Sequence, residues 1–148
     1  MADLPQQATC ESPAGQTRIL VIDDDDCVGT AIKATLGRHR YEIVLAPRAS
    51  DGIQALAQSR YDIVLVDIFL PGLSGLDTIE QIRHGSAMPI IAMSGFRLRG
   101  AGEALDYLGM AARRGATLCL RKPFKAAQLI DAVEWSRCLL GKTEGSKN

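Results

Sequence analysis

The sequence predicts an α/β fold in which a doubly wound, five-stranded parallel sheet carries helices on both faces. Two observations support this prediction. Five short runs rich in β-branched residues alternate with segments of helical spacing, an order typical of parallel strands joined by right-handed crossovers. The runs are also nearly all apolar, as strands are when both faces are covered. The predicted strands are RILVI (18–22), YEIVLA (41–46), YDIVLVD (61–67), MPIIAMS (88–94) and TLCLR (117–121).

The segments between the strands repeat apolar residues every three or four positions, which predicts a helix after each strand. In the first segment, Val28, Ile32 and Leu36 precede Gly37, and we interpret this glycine as a helix cap. The remaining predicted stripes are Ile53 with Leu56, Leu76 with Ile79 and Ile82, and Leu129 with Val133 and Leu140, the last with Trp135 outside it.

Length and composition predict one globular domain. The chain has 148 residues, of which 47% are hydrophobic, enough to build a sizeable core. Residues 1–16 are rich in Pro, Gln, Ser and Gly and predict a disordered leader, while residues 141–148 (GKTEGSKN) predict a polar tail. We therefore expect the folded domain to span residues 17–140.

The charge balance argues against a nucleic-acid or membrane partner. The 17 Lys and Arg residues match 17 Asp and Glu residues, so the chain lacks the net field that draws proteins to polyanions. No stretch approaches the roughly 20 apolar residues of a membrane span, and the first residues lack the pattern of a secretory signal. We expect a cytoplasmic protein with no membrane insertion and no direct nucleic-acid contact.

Polar side chains lie at the carboxyl ends of four of the five predicted strands. Asp23 and Asp24 come after the first strand, Asp67 ends the third, Ser94 ends the fourth, and Lys122 follows the fifth. In parallel sheets with helices on both faces, ligands bind beyond this edge. We therefore expect these side chains to face one crevice.

Three carboxylates in one crevice predict a bound cation, because they otherwise repel one another and raise each other's pKa. Mg²⁺ fits better than Ca²⁺, since the sequence has no loop with acids at alternating positions and a distal Glu. Lys122 beside such an ion is suited to clamp a phosphoryl group, to which Ser94 can donate a hydrogen bond. A dinucleotide is excluded because the first turn reads DDDD, where GxGxxG is needed to admit a pyrophosphate.

Four motifs in one order resemble the receiver domain of bacterial two-component response regulators. They are ILVIDDDD at the first strand, DIVLVDIFLPGLSG at the third, PIIAMSG at the fourth and RKPF after the fifth. The resemblance covers about residues 18–140 and implies the flavodoxin-like (CheY-like) arrangement of the predicted sheet.

The resemblance implies roles for the residues at the crevice. Asp67 would be the phosphoacceptor, and Asp23, Asp24 and Asp67 would hold Mg²⁺ together with the backbone carbonyl of Phe69. Asp67 would attack a phosphohistidine on a histidine kinase or a histidine phosphotransfer protein, giving an acyl phosphate. The domain would then act as a switch rather than as an enzyme that turns over a metabolite.

Two positions, Ser94 and Cys119, belong to the implied switch. Ser94 would bond a phosphoryl oxygen and Lys122 would neutralise it, with a cis peptide bond between Lys122 and Pro123. Cys119 stands where the family usually has Tyr or Phe; we interpret it as a small core residue, which removes the aromatic part of the switch. The stretch 95–103 also departs from the family, because the segment between Ser94 and Lys122 is longer than usual.

We interpret the chain as a single-domain response regulator that signals by contact with a downstream target protein. One alternative is a haloacid-dehalogenase-like phosphatase with Asp23 as nucleophile and Asp25 as general acid, although the second acidic pair that such an enzyme needs after its lysine strand is missing. Another is a receiver-like docking module that never carries phosphate. In the first interpretation Asp25 and Asp26 start the following helix, whose dipole favours acids there.

Overall fold

A computed structural model describes residues 16–70, 74–95 and 107–146 of the chain. The predicted leader lies outside the described residues except for Gln16, and the long stretch 95–103 lies outside them except for Gly95. Within the described ranges, no helix is both long and apolar enough to cross a lipid bilayer.

Strands and helices alternate along the described chain. The strands are β1 (Thr17–Ile22), β2 (Tyr41–Ala46), β3 (Ile63–Asp67), β4 (Ile90–Ser94) and β5 (Leu118–Arg121). Each is followed by the helix of the same number: α1 (Asp26–Gly37), α2 (Ala49–Gln58), α3 (Gly75–Gly85), α4 (Tyr107–Arg114) and α5 (Ala126–Ser146). All five predicted strands, and a helix after each, are confirmed, with strand ends shifted by at most two residues.

The strands form one parallel sheet in the order β2-β1-β3-β4-β5. The chain builds outward from β1 to β2, returns to the other side of β1, and continues through β3, β4 and β5. The carboxyl ends of β1 and β3 are therefore neighbours at the point where the winding direction reverses, which is where ligands of such sheets bind. The predicted doubly wound α/β fold is confirmed.

Two apolar layers hold the helices against the sheet. One layer joins α1 and α5 to one face through residues such as Ile32 and Val133. The other joins α2, α3 and α4 to the opposite face through residues such as Ile79 and Ala111. The predicted stripes are thus the buried sides of the helices, and Trp135, which lies off its stripe, is 50% exposed.

Two helix ends differ from the prediction. Gly37 is the last residue of α1 rather than its cap, because Arg38 occupies the cap position in a helical conformation. The chain turns only at Arg40, which has a φ of 65° and donates its N–H to the Gly37 carbonyl at 3.3 Å. At the other end of the chain, α5 continues to Ser146, past residue 140, since GKTEGS contains no proline to stop it.

A polar tie fastens the edge strand β2 to α5 at the end of the sheet opposite the acidic residues. The hydroxyl of Tyr41, the first residue of β2, donates a hydrogen bond to the carboxylate of Glu134. Arg137 lies 3.3 Å from the other oxygen of that carboxylate. Burial, together with the hydrogen bond to Glu134 and its negative charge, raises the pKa of Tyr41 to about 12.

Replacement of Tyr41 by Phe should remove a pH-dependent part of the folding free energy. Because the folded-state pKa lies above the unfolded value of 10.0, Tyr41 stabilises the fold fully below that pH and loses this contribution as the pH rises toward about 12. The difference in unfolding free energy between the parent chain and Tyr41→Phe, measured by urea denaturation across this range, should therefore shrink. A difference that stays constant across this pH range would contradict the raised pKa of Tyr41 in the folded state.

Candidate functional site

Three carboxylates converge at the carboxyl edge of β1 and β3. Asp23 directly follows β1 and Asp67 is the last residue of β3; they are 6% and 5% exposed. Asp24, the next residue after Asp23, is exposed. One oxygen of each carboxylate lies within 4.8 Å of the other two. The structure thus brings together the three acids that the sequence places at this edge.

Backbone hydrogen bonds hold Asp23 in the turn after β1. Its N–H donates to the carbonyl of Ala46, at the end of β2, at 3.1 Å. Its Oδ1 accepts a hydrogen bond from the N–H of Asp25 at 2.9 Å. The carboxylate is therefore fixed with its second oxygen directed at the rest of the site.

Among the described residues, one ammonium group is paired with these acids. Nζ of Lys122, which follows β5, donates to Oδ2 of Asp23 at 2.8 Å and lies 3.4 Å from Oδ2 of Asp67. The backbone N–H of Lys122 donates to the carbonyl of Ser94 at 2.8 Å, which ties the residue to the end of β4. The peptide bond to Pro123 is cis, as predicted.

The described part of the site carries more negative than positive charge, with three carboxylates and one ammonium group. Burial raises the pKa of Asp23, the charge of Asp67 adds to this rise, and the hydrogen bonds from Lys122 and Asp25 offset only part of it. Burial lowers the pKa of Lys122, but its hydrogen bond to Asp23 and the charges of the two acids outweigh burial, so the net pKa is raised. Lys122 is therefore charged, and Asp23 lies where a further positive charge is favoured. Three carboxylates with one ammonium fit the ligand set of a hard divalent cation.

Backbone packing positions Asp67 from the side of α3. The N–H of Phe69 donates to Oδ1 of Asp67 at 3.0 Å. Gly75, the first residue of α3, donates its N–H to the carbonyl of Ile68 at 3.2 Å. A Cβ on Gly75 would lie 2.1 Å from the carbonyl oxygen of Asp67, so this close approach requires glycine. Gly75 is not among the predicted site residues; its signal in the sequence is the glycine that follows the helix N-cap Ser74.

The two predicted switch residues lie at different levels of the sheet. Ser94, which is 8% exposed, ends β4, and its hydroxyl donates to the carbonyl of Gly95 at 3.3 Å. Cys119 is partly buried in β5, where it stands beside Ala92 and packs against the core layer under α2, α3 and α4. Cys119 is thus part of the core packing on that face.

Asp25 and Asp26 begin helix α1. Oδ1 of Asp25 accepts hydrogen bonds from the N–H groups of Cys27 at 2.9 Å and Val28 at 3.4 Å, so Asp25 is the N-cap. Asp26 is the first residue of the helix, where the helix dipole favours a negative charge. The prediction that these two acids start the helix is confirmed.

A cleft of about 1120 Å³ opens from the acids along a groove between α1 and the start of α5. Its polar end is formed by Asp24, Asp25, Asp67 and Lys122. Its apolar side is formed by Val28, Ala31, Ile32, Phe69, Pro123, Phe124, Ala126 and Leu129. The acidic site is therefore open on the α1 and α5 side, and apolar surface borders the opening.

A known protein family shares this fold and this arrangement of motifs. Residues 19–134 match the family described as Response regulator receiver domain. That range includes the three acids, Lys122 and all of the sheet except the first two residues of β1. The chain therefore belongs to the response regulator receiver domain family of two-component signalling.

The curated relatives are longer proteins. The transcriptional regulatory protein CseB of Streptomyces coelicolor is 33% identical over 121 residues, which cover 81% of this chain and 49% of CseB. The transcriptional activator protein PfeR of Pseudomonas aeruginosa is 33% identical over 112 residues, which cover 76% of this chain and 35% of PfeR. The chain thus spans about half the length of CseB and about a third of PfeR.

Solved structures of receiver domains share the architecture. A response regulator receiver domain protein from Clostridium thermocellum is 29% identical, with a TM-score of 0.71 over 81% of this chain and 93% of that chain. A CheY-like receiver domain protein from Methanospirillum hungatei has a TM-score of 0.77 over 86% of this chain and 98% of that chain, and its 23% identity shows the fold alone. The CheY-like fold that the resemblance implies is confirmed.

Replacement of Gly75 by Ala should destabilise the domain, because the added methyl group overlaps the backbone of Asp67 and Ile68. Overpacking of this kind typically costs about 1–3 kcal/mol of unfolding free energy. The matched control is Gly85→Ala at the other end of α3, where the added Cβ meets open space. Urea denaturation should show a loss of stability for Gly75→Ala and none for Gly85→Ala, and equal stabilities would show that the close approach at Asp67 tolerates a side chain.

Proposed function

We propose that this chain is a phosphoacceptor in which Asp67 takes a phosphoryl group from a phosphohistidine on a histidine kinase or a histidine phosphotransfer protein. The observation that supports this most is the setting of Asp67. Its carboxylate is buried at the sheet edge, pairs with Lys122 at 3.4 Å, and lies within 4.8 Å of two further carboxylates. A buried nucleophile beside a fixed cation and a cation-binding set is suited to phosphoryl transfer.

The transfer forms one P–O bond and breaks one P–N bond. An oxygen of Asp67 attacks the phosphorus, the electron pair of the P–N bond returns to the imidazole nitrogen, and an acyl phosphate remains on Asp67. The ammonium of Lys122 neutralises part of the charge that arrives with the phosphoryl group. The hydroxyl of Ser94 supplies a further donor when it turns away from the Gly95 carbonyl.

Mg²⁺ is the cofactor that we propose for this site. Asp23, Asp24 and Asp67 would hold it through their carboxylates, and Phe69 through its backbone carbonyl. When bound, the ion offsets the negative charge of the phosphoryl oxygens and of the acids. The excess of carboxylates over ammonium groups and the raised pKa of Asp23 support a cation at this position.

The cleft between α1 and α5 supports a protein as the phosphodonor. The polar end of the cleft reaches Asp67. Its sides carry apolar groups from α1, such as Val28 and Ile32, and from the start of α5, such as Leu129. A partner that buries this apolar surface can present a phosphohistidine to Asp67 in the same step. A small metabolite would leave most of the groove exposed.

The output that we propose is contact with a downstream target protein, as in single-domain response regulators. The equal numbers of basic and acidic residues give this chain no net field for nucleic acid. The transcriptional regulators CseB and PfeR are longer, and the similarity to this chain covers only 49% and 35% of them.

The phosphatase alternative is weakened by the position of Asp25. Its Oδ1 accepts hydrogen bonds from the N–H groups of Cys27 and Val28, so the carboxylate that would be the general acid already serves as the N-cap of α1. The docking-module alternative requires only that Asp67 never carries phosphate.

Incubation with acetyl phosphate and Mg²⁺ should add one phosphoryl group, about 80 Da by intact mass, to the parent chain and none to Asp67→Asn. Asp26→Asn is the matched control, because Asp26 is an exposed acid in the first turn of α1, and it should gain the same mass. A mass gain in Asp67→Asn would show that a residue other than Asp67 is the phosphoacceptor. If the parent chain gains no mass but hydrolyses a phosphate ester, and Asp23→Asn loses that activity, the phosphatase is favoured. If the parent chain neither gains mass nor hydrolyses the ester, the docking module is favoured.

Mg²⁺ should raise the thermal stability of the parent chain by binding the folded state, and Asp24→Asn should weaken this effect. At a free concentration 100 times the Kd, such binding adds about 2.7 kcal/mol to the unfolding free energy. Asp24 is exposed, so its replacement leaves the core intact. Thermal unfolding with and without Mg²⁺ tests this, with Asp26→Asn as the control that keeps the full effect. Equal Mg²⁺ shifts in both variants would remove Asp24 from the ligand set.

A further inference from the structure

We propose that Tyr107 is a positioning residue that couples the phosphoacceptor Asp67 to helix α4 through the ring of Phe69. The rings of Phe69 and Tyr107 meet edge to face, with centroids 4.8 Å apart and an interplanar angle of 73°. The inference rests on the proposed function, since the coupling carries a signal only if Asp67 is phosphorylated. It adds a route from the modified carboxylate to a particular helix.

The first link joins Asp67 to Phe69. The N–H of Phe69 donates to Oδ1 of Asp67 at 3.0 Å, and a single residue separates the two along the chain. A phosphoryl group on the carboxylate removes negative charge from its oxygens and adds bulk beside them. The backbone of Phe69 therefore responds directly to the chemical state of Asp67.

The second link joins Phe69 to Tyr107. Edge-to-face rings at this distance attract one another beyond the burial of their area, and the attraction depends on their relative orientation. Tyr107 is the first described residue of α4. The ring contact therefore joins Phe69 directly to this helix.

Different contacts hold the two ends of the described part of α4. At the carboxyl end, Arg114 pairs with Asp77 at 3.3 Å and with Glu80 at 3.1 Å, which ties α4 to α3. At the amino end, the aromatic contact between Tyr107 and Phe69 leads back to the phosphoacceptor. A shift of Phe69 therefore acts on α4 at Tyr107, while Arg114 keeps its separate contacts with α3.

The small side chain of Cys119 independently supports a role for an aromatic ring on α4. Phe69, Tyr107 and Cys119 all pack against the same core layer, on the face of the sheet that α2, α3 and α4 cover. β5 contributes only a small thiol to this layer at position 119. The aromatic contact next to the phosphoacceptor therefore comes from the helix and not from the strand.

The test is hydrogen exchange of the α4 amides with and without acetyl phosphate and Mg²⁺, read by mass spectrometry of the peptide that contains α4. In the parent chain, phosphorylation should change the exchange rate of these amides by about two- to tenfold. This factor corresponds to the interaction free energy of one aromatic pair. Tyr107→Leu should abolish this change, and Tyr107→Phe, which keeps the ring, should retain it.

The matched control is Tyr61→Leu. Tyr61 packs against the same core layer, but its ring lies 4.5 Å from the guanidinium carbon of Arg18, outside the proposed route. The Tyr61→Leu variant should be less stable than the parent chain and should keep the phosphorylation-dependent change in α4 exchange. Should Tyr107→Leu fail to fold, Phe69→Leu removes the same contact from the other side and should abolish the same change.

The outcomes separate the two proposals. If the parent chain takes up no phosphoryl group, the proposed function fails and the coupling fails with it. If the parent chain is phosphorylated and α4 exchange changes equally in Tyr107→Leu, only the coupling is overturned. Loss of the change in Tyr61→Leu as well would also overturn it, because the effect would then follow stability rather than the aromatic contact.

Discussion

The ammonium of Lys122 and the carboxylates of Asp23 and Asp67 depend on the whole sheet for their position. Lys122 follows β5 and Asp23 follows β1, and β3 and β4 lie between these two strands. Burying each charge costs several kcal/mol, and the cost is offset only when the opposite charges meet. The distance of 2.8 Å between Lys122 and Asp23 therefore exists only when four strands pair in register. The cluster ties the chemistry of the site to the integrity of the fold.

Asp67 lies between two differently built sides of the domain. Toward α1 and α5, its carboxylate faces an open cleft with apolar walls, which suits the approach of a protein partner. Toward α3 and α4, it lies against the backbone at Gly75 and beside Phe69, which also lines the cleft and whose ring meets Tyr107. The cleft leaves the carboxylate open to modification, while Gly75 and Phe69 connect it to the packing of α3 and α4. In the proposed function, Phe69 therefore lies where the path of phosphoryl entry meets the route toward α4.

The acidic run after β1 divides into two pairs with different tasks. Asp23 and Asp24 place their carboxylates near that of Asp67, while Asp25 and Asp26 start α1. The division follows from geometry, because the Asp25 carboxylate bonds the first N–H groups of the helix. The run therefore combines two acids that begin a helix, whose dipole favours negative charge, with two that join Asp67 in a carboxylate cluster, where Lys122 pairs with Asp23.

Local patterns in the sequence determined the strands, the buried stripes of the helices, the doubly wound sheet and the set of polar residues at its carboxyl edge. These features follow from periodicity and from the parallel order of the strands, which need no knowledge of side-chain contacts. The tertiary structure alone decided the close approach at Gly75, the turn at Arg40 in place of a cap at Gly37, and the contact between Phe69 and Tyr107. Each of these depends on where backbone or side-chain atoms meet in space. The spacing of residues along the chain carries too little information to fix such distances.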